Sequence, residues 1–306
     1  MTSNMMEHHM ESQGRPLDLG FARRGAELIA TASIEISPHD DPLRERLNEF
    51  LPPLTTVFVN HAGSVTHHDI VAACVKLRRA GFSPVPHVAA RRLASFTQAR
   101  DFMQRAAGEA GVTSVLLIAG DPARAIGPFG DSLELLSTEL VERHGIAQIA
   151  FAGYPEGHPR IDRHSLETAL RAKIAMARQR GLEVSLVTQF GFEAEPIRHW
   201  IASLREEGIG CPIRVGVAGP ATIATLAKFA VRCGIGASLR ALGRSQTAFA
   251  RILTEASPDA LIAALVAREN RDAPIAGLHL FCFGGVRHTA EWLHARAQSG
   301  SAQLPL

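Results

Sequence analysis

The stretch SVLLIAGD (114–121) is a short apolar run that ends in a glycine and a carboxylate. Seven other apolar runs also end in polar or small residues, and each is followed by a helical pattern: ELIATASIEI (27–36), TTVFVNHA (55–62), SPVPHVAA (83–90), AQIAFAGY (147–154), EVSLVTQF (183–190), PIRVGVAG (212–219) and GLHLFCFG (277–284). Short runs that are apolar on both faces are typical of parallel strands covered by helices. Eight such units predict a closed (β/α)₈ barrel, the TIM barrel architecture.

The connections between the runs support this architecture. Helical patterns are predicted at 41–51, 66–79, 95–110, 131–143, 163–180, 195–207, 220–233 and 287–297. The seventh connection, residues 220–276, holds further patterns near 246–256 and 258–268, so extra helices are predicted between strands seven and eight. An open Rossmann sheet is the alternative, but no GxGxxG follows the first run, and GDPARAIGPFG (120–130) does not match that fingerprint.

Length and composition limit the possible classes of protein. The chain has 306 residues and a net charge of +2, which provides no strong field for nucleic acid or an anionic membrane. The apolar runs are strand-sized, the N-terminus lacks the apolar region of a secretory signal, and no pair of the four cysteines has CxxC spacing. We expect a cytoplasmic protein without a metal site, with a mobile arm over residues 1–18 and a single barrel domain over 19–300.

Chemistry in such a barrel takes place where strands end and loops begin. That rule selects one group of candidates for a shared pocket: Glu35, Asn60, His61, His87, Asp121, Tyr154, His158 and Gln189. No Ser-His-Asp order, HExxH or Walker loop is present. Without a nucleophile or a metal cluster, a cofactor would have to supply the difficult chemistry.

The first half of the chain provides acidic candidates. Glu35, set against apolar walls, would keep its proton near neutral pH and act as a general acid, or else form a salt bridge at the strand end. Gly120 permits close approach of a ligand, and Asp121 accepts hydrogen bonds from a donor-rich heterocycle or else forms an Asx turn. His87 is either a ligand-binding residue or a buried core histidine.

The second half provides candidates for binding. Tyr154, the only tyrosine, and His158 lie on the stiff loop GYPEGHP (153–159), which suits a planar cofactor or is a rigid turn. Gln189 offers a donor and an acceptor to a pterin or flavin edge. Phe192 provides apolar contact or belongs to the core, and Lys173 pairs with a phosphate or is solvated.

Taken in order, eight segments resemble the methylenetetrahydrofolate reductase family. They are SIEISP (33–38), PHVAA (86–90), LLIAGDP (116–122), GYPEGHP (153–159), LRAK (170–173), VTQFGF (187–192), GVAGP (216–220) and FAVRCG (229–234). The resemblance implies a flavin barrel with bound FAD, in which NADH or NADPH provides the hydride. It implies reduction of 5,10-methylenetetrahydrofolate to 5-methyltetrahydrofolate, or the reverse oxidation, by a protein that we expect to be a homo-oligomer.

The resemblance also implies individual roles. Glu35 matches the acid that protonates a folate nitrogen and opens the imidazolidine ring to a reactive iminium. Asp121 matches the carboxylate that binds the pterin and tunes the flavin, and Gln189 matches the amide that binds folate, with Phe192 beside it. The positions that match the surroundings of FAD are Asn60, His87, Gly120, Asp121, Tyr154, His158 and Lys173.

Several positions depart from the family pattern. Ala119 replaces an arginine that precedes Gly-Asp, Asn60 and His61 change the mouth of strand two, and Gly284-Gly285 replaces an Asn-Arg pair. These departures weaken the FAD pocket more than the folate end. Two alternatives therefore stay open: direct transfer of hydride from NADH to folate without flavin, and a folate-binding protein with no redox turnover.

Overall fold

Eight parallel strands close into one barrel in the computed structural model, which describes residues 16–233, 255–267 and 274–299. The strands are β1 (Ser33–Ile36), β2 (Thr56–Val59), β3 (Ser83–Ala89), β4 (Ser114–Ile118), β5 (Gln148–Gly153), β6 (Glu183–Thr188), β7 (Ile213–Ala218), β8 (Ala221–Thr222), β9 (Glu255–Ala256) and β10 (Gly277–Phe281). All except β8 and β9 form the barrel, and β10 closes it by pairing with β1. The predicted (β/α)₈ barrel is confirmed.

Helices surround the barrel. They are α1 (Pro16–Ala30), α2 (His67–Arg79), α3 (Phe96–Ala110), α4 (Ser132–Ser137), α5 (Leu140–Arg143), α6 (Arg163–Gln179), α7 (Ala194–Glu206), α8 (Ile223–Cys233), α9 (Asp259–Ala267) and α10 (Val286–Ser299). Helix α9 is the extra helix predicted between strands seven and eight. None of the helices in the described part of the chain is long and apolar enough to cross a membrane.

The structure corrects the sequence analysis around the first strand. The apolar run 27–36 is not all strand, because its first part ends α1, which buries Leu28 and Ile29 and packs on α9 and α10. Helix α1 begins at Pro16, inside the arm that was predicted to reach residue 18, while residues 1–15 lie outside the described residues. The arm and the domain boundaries stay predictions.

Other predicted helices also differ from the structure. Residues 41–51 form turns with one 3₁₀ turn, Leu47–Glu49, because the Asp41 side chain accepts two backbone N–H bonds and Arg46 has a φ of 54°. The pattern at 131–143 forms two short helices, separated where Glu139 has a φ of 61°. Of the pattern near 246–256, residues 246–254 lie outside the described residues, and its end forms β9.

The strands place alternate side chains inside the barrel. Phe58, Val85, Leu116, Ala150 and Val187 form an apolar cluster there. Because side chains alternate, residues an even number of positions farther along the same strands also face inward and lie at the carboxyl rim. The chain therefore reaches the rim with His87 on β3, Ile118 on β4 and Gln189 just after β6, above a packed apolar floor.

Candidate active site

A cavity of about 480 Å³ opens at the carboxyl rim of the barrel. Its walls include seven of the candidates selected from sequence: Glu35, Asn60, His61, His87, Asp121, Tyr154 and Gln189. These residues lie in or just after β1 to β6, so closure of the barrel is what brings them together. The eighth candidate, His158, does not line this cavity and instead packs edge-on against the Tyr154 ring, with centroids 5.3 Å apart.

Glu35 lies at the deep side of the cavity with 17% of its side chain exposed. Its Oε2 atom lies 3.6 Å from Nε2 of His87 and 3.6 Å from Nε2 of His279. Burial acts to raise the pKa of Glu35, but the two imidazoles and the Asn60 amide together hold the pKa below its usual value. This lowered pKa is opposite to the raised pKa expected from the apolar walls alone, and the contacts with the two histidines match the alternative of an ion pair at the strand end. The role of Glu35 as an acid stays a prediction.

The two histidines beside Glu35 differ in their surroundings. Burial lowers the pKa of His87, and the Glu35 carboxylate only partly opposes this effect, so His87 is neutral at pH 7. His279 lies inside β10, where its side chain is 1% exposed and its Nδ1 lies 3.0 Å from Oγ of Ser33. His279 is not among the candidates selected from the sequence. The available signal was a polar residue at an inward position of GLHLF (277–281), two residues before the rim.

The mouth of strand two carries a second neutral imidazole. His61 accepts a hydrogen bond from the backbone N–H of Ala89 at 3.4 Å. Burial, with repulsion from Arg92 and His87, lowers the pKa of His61 to about 4. His61 is thus uncharged at neutral pH and contributes hydrogen bonding, not charge, to this side of the cavity.

Asp121 stands on the outer rim with 63% of its side chain exposed, 3.9 Å from a guanidinium nitrogen of Arg92. The preceding Gly120 has a φ of +94°, and a Cβ atom there would lie 3.0 Å from Cβ of Ala89. Glycine is therefore needed to turn the chain at this point. Gly120 does not itself line the cavity, and its role is to place Asp121 there.

An aromatic wall faces the acidic side of the cavity. Phe229 and Phe283 stack with centroids 4.1 Å apart and an interplanar angle of 17°. Beside them, the Gln189 side-chain oxygen accepts a hydrogen bond from the backbone N–H of Phe190 at 3.1 Å. Phe192 packs behind Phe190, at 5.8 Å, and does not line the cavity. Its predicted direct contact with substrate is not what this structure shows.

A second cavity of about 270 Å³ lies on the other side of Tyr154. Ile118, Ala152 and Tyr154 line both cavities. Lys173 enters the second cavity above the Phe151 ring, with its ammonium 5.2 Å from the centroid. Burial lowers the pKa of Lys173 to about 8, against the attraction of Asp131.

The wall of this second cavity carries three cationic side chains and two carboxylates, Asp131 and Glu167. Arg91 and Arg163 join Lys173 in its wall. Among the described residues, the Lys173 ammonium forms neither a hydrogen bond nor an ion pair within 4 Å, which leaves a buried cation without a close counter-ion. Such a group favours an anionic ligand.

One trio outside these cavities has atoms of the kind that bind metals: His67, His68 and Asp101. Its nitrogens already have partners, because Nε2 of His67 lies 3.1 Å from Asp101, and Nδ1 of His67 lies 3.1 Å from the Gln98 amide. The Arg105 guanidinium contacts His68. A neighbouring cation and occupied lone pairs disfavour a metal here, so we assign none.

Comparison with known proteins places the chain in a family. The methylenetetrahydrofolate reductase family matches residues 43–239. The chain belongs to the methylenetetrahydrofolate reductase family. The match includes Asp121, Lys173 and Gln189 and leaves Glu35 and His279 outside it, on the two strands that close the barrel.

A solved structure has the same fold as this family member. It is an uncharacterized protein from Clostridium thermocellum that binds two copies of 5-methyl-5,6,7,8-tetrahydrofolic acid. The two chains are 11% identical with a TM-score of 0.55, and the similarity covers 92% of this chain and 99% of that one. At this identity the likeness concerns the fold alone.

Proposed function

We propose that this chain transfers a hydride between a nicotinamide nucleotide and a folate one-carbon unit. The reaction is reduction of 5,10-methylenetetrahydrofolate to 5-methyltetrahydrofolate, or its reverse. The observation that carries the proposal is that Glu35, Asp121 and Gln189 line one cavity at the carboxyl rim. Membership of the family supports it, and the Clostridium thermocellum protein indicates that a barrel of this kind accommodates a reduced folate.

The folate would lie between the acidic and the aromatic side of the cavity. A pterin is rich in N–H donors, and the exposed carboxylate of Asp121 is a matching acceptor. The Gln189 amide provides hydrogen bonds on the opposite side, while the Phe229 and Phe283 rings offer flat apolar surface to the aminobenzoyl group. Phe192 supports this wall from behind.

Glu35 is the group that would protonate the folate nitrogen. It lines the cavity with 17% of its side chain exposed. The other carboxylates in the wall are Asp40, whose Oδ2 accepts the Ser37 backbone N–H, and Asp121, which is 63% exposed. Because its pKa is lowered in the ligand-free protein, Glu35 must receive the proton that it later delivers.

The residues of the second cavity fit a phosphate-bearing flavin. Lys173, Arg91 and Arg163 would hold a pyrophosphate, which would complement the buried Lys173 cation. The Tyr154 ring, with His158 packed edge-on against it, would lie between the flavin and the folate cavity. Burial raises the pKa of Tyr154. The other residues expected near the flavin are His87, Asn60 and Gly120. When bound, FAD supplies a hydride carrier between nicotinamide and folate. The basic groups of this cavity compensate for Ala119, which replaces the family arginine.

Direct transfer of hydride from NADH to folate is the second candidate. Two features favour this direct route: the uncharged cavity wall formed by Asn60 and His61 after β2, and Ala119 in place of the family arginine. The test is an absorbance spectrum of the purified protein and mass analysis of the cofactor released on denaturation. Stoichiometric FAD that bleaches anaerobically with NADH, NADPH or 5-methyltetrahydrofolate supports the flavin route. Colourless protein with full folate turnover supports the direct route and removes FAD from the proposal.

A further inference from the structure

A third cavity lies at the opposite end of the barrel from the candidate active site. This basal cavity has a volume of about 380 Å³, is lined by the first residues of several strands, and shares no lining residue with the cavity at the carboxyl rim. Phe58, Val85 and Ala150 form its ceiling and belong to the apolar cluster inside the barrel. Packed apolar side chains therefore separate the two cavities, and a ligand in one does not reach the other.

The side chains just below this ceiling are polar, although this part of a barrel is usually filled by apolar groups. In an eight-stranded barrel, alternate strands contribute side chains to one layer, and branched apolar residues dominate such layers. The layer below the ceiling comes from β2, β4, β6 and β10 and consists of Thr56, Ser114, Ser185 and Gly277. None of the three hydroxyls forms a hydrogen bond within the part of the chain that the structure describes. Each hydroxyl can therefore donate to a ligand.

Arg214 adds a positive charge to this layer. It lies on β7 opposite Gly277 of β10, and a Cβ atom on Gly277 would lie 2.6 Å from Nη1 of Arg214, so the glycine makes room for the guanidinium. Nη1 donates to the carbonyl oxygen of Thr31 at 3.0 Å. Burial lowers the pKa of Arg214, and no carboxylate among the described residues offsets this effect. A largely buried cation without a counter-ion favours an anionic ligand.

The other charged groups in the wall leave the basal cavity positive. Arg78 of α2 donates from Nε to the carbonyl oxygen of Ala110 at 3.1 Å and from Nη2 to that of Gly111 at 2.8 Å, which fixes its guanidinium at the edge of the cavity. Glu183 is exposed at the start of β6, where its Oε2 accepts a hydrogen bond from the Gln148 amide at 3.0 Å. The wall thus carries two guanidinium groups and one carboxylate that already has a partner.

We propose that the basal cavity binds a phosphate group, either inorganic phosphate or a small phosphate monoester, between Arg214 and the three hydroxyls. A guanidinium presents a fork of N–H donors to two phosphate oxygens, and the hydroxyls provide donors for the others. Such an anion would connect β2, β4, β6 and β7 at their amino ends and stabilise the closed barrel, since a ligand that binds only the folded state raises its stability. This site is independent of the proposed folate chemistry, so its test needs no enzymatic activity.

The test is thermal unfolding of the full chain at pH 7 with increasing inorganic phosphate, at an ionic strength kept constant with chloride. We expect Tm of the wild type to rise about 2–4 °C more than Tm of Arg214→Met at saturating phosphate. Comparison with the variant removes the general stabilising effect of phosphate on proteins. Arg205→Met is the matched control, because Arg205 is a half-buried arginine that also donates to a backbone carbonyl, that of Ile209, but lies outside the basal cavity. It should keep the full response to phosphate.

A second variant keeps Arg214 in place and tests the hydroxyls. The double substitution Ser114→Ala and Ser185→Ala should weaken phosphate binding about tenfold, read from the phosphate concentration at half of the Tm shift, and it tests the site even where Arg214→Met does not fold. Lys173→Met should leave the shift unchanged, because Lys173 belongs to the second cavity. Equal shifts in the wild type and in both basal variants would mean a cavity filled only by water and would overturn the proposal. A shift lost in Lys173→Met but kept in the basal variants would assign the anion to the second cavity and overturn it as well.

Discussion

At the residue scale, two opposing effects act on the pKa of Glu35. Burial favours the neutral acid, and the neighbouring imidazoles favour the carboxylate. Glu35→Gln removes the transferable proton with little change of shape. We expect the folate half-reaction to slow by about 10²- to 10⁴-fold, with reduction by nicotinamide nearly unchanged. Stopped-flow absorbance measures both, with the exposed Glu109→Gln on α3 as control. Equal losses in the two half-reactions would remove Glu35 as the folate acid.

Substitution of Asp121 tests the proposed contact between this carboxylate and the pterin. Its carboxylate is largely exposed and only loosely paired with Arg92, so a ligand can use it as an acceptor. Asp121→Asn replaces one acceptor oxygen by a donor and should weaken folate binding about tenfold, or ~1.4 kcal/mol. Anaerobic titration calorimetry with 5-methyltetrahydrofolate measures this. Unchanged affinity and turnover would argue against a pterin contact.

At the element scale, the end of β5 packs tightly against α7. A Cβ atom on Gly153 would lie 2.3 Å from the Trp200 ring, so Gly153→Ala must displace the indole that lines the second cavity. We expect the free energy of unfolding to fall by about 1–3 kcal/mol. Gly108 provides the opposite control, because it lies within α3 with no atom near its missing Cβ.

Gly108→Ala should raise the free energy of unfolding by about 0.5–1 kcal/mol, since alanine favours helix. Urea denaturation of both variants gives the comparison. A Gly153→Ala variant as stable as the wild type would contradict the packing at the end of β5.

The elements also show which features were predictable. Every barrel strand lies within a predicted apolar run, because buried parallel strands leave a composition signal that local sequence preserves. Helix α1 was missed, since its apolar face merges with the run that contains β1. The helix predicted for residues 41–51 is wrong, because this segment forms turns that depend on the side chain of Asp41 and on the left-handed backbone of Arg46. Such local geometry does not change the apolar pattern.

At the scale of the whole molecule, the site depends on closure between the ends of the chain. Ser33 aligns with His279, and Glu35 aligns with Phe281, in the parallel pairing of β1 and β10. The rule that chemistry lies at strand ends was enough to select Glu35, Asp121 and Gln189. It could not select His279, which lies below the rim, nor the lowered pKa of Glu35, because both depend on the register of strands distant in sequence.

The two adjacent cavities lead to a prediction about pH. Lys173 is a cation below its pKa of about 8 and loses its charge as the pH rises through that value. Retention of FAD should therefore weaken between pH 7 and pH 9, and Lys173→Met should weaken it at pH 7 and remove most of this pH dependence. Flavin fluorescence titration measures the dissociation constant, with Lys76→Met on α2 as control. Affinity that is equally pH-dependent in Lys173→Met would exclude Lys173 as the phosphate anchor.

Transfer of an isotopic label tests the proposed folate chemistry most directly. Wild-type protein is incubated anaerobically with 5,10-methylenetetrahydrofolate and NADH or NADPH carrying deuterium at the transferable position, and the folate product is examined by mass spectrometry. We predict formation of 5-methyltetrahydrofolate by the wild type, and its near absence with Glu35→Gln although folate still binds. The methyl group keeps the deuterium on the direct route and largely loses it to solvent on the flavin route, because the N5–H of a reduced flavin exchanges with water. Tight folate binding by the wild type without any 5-methyltetrahydrofolate formed from either nucleotide would contradict the account.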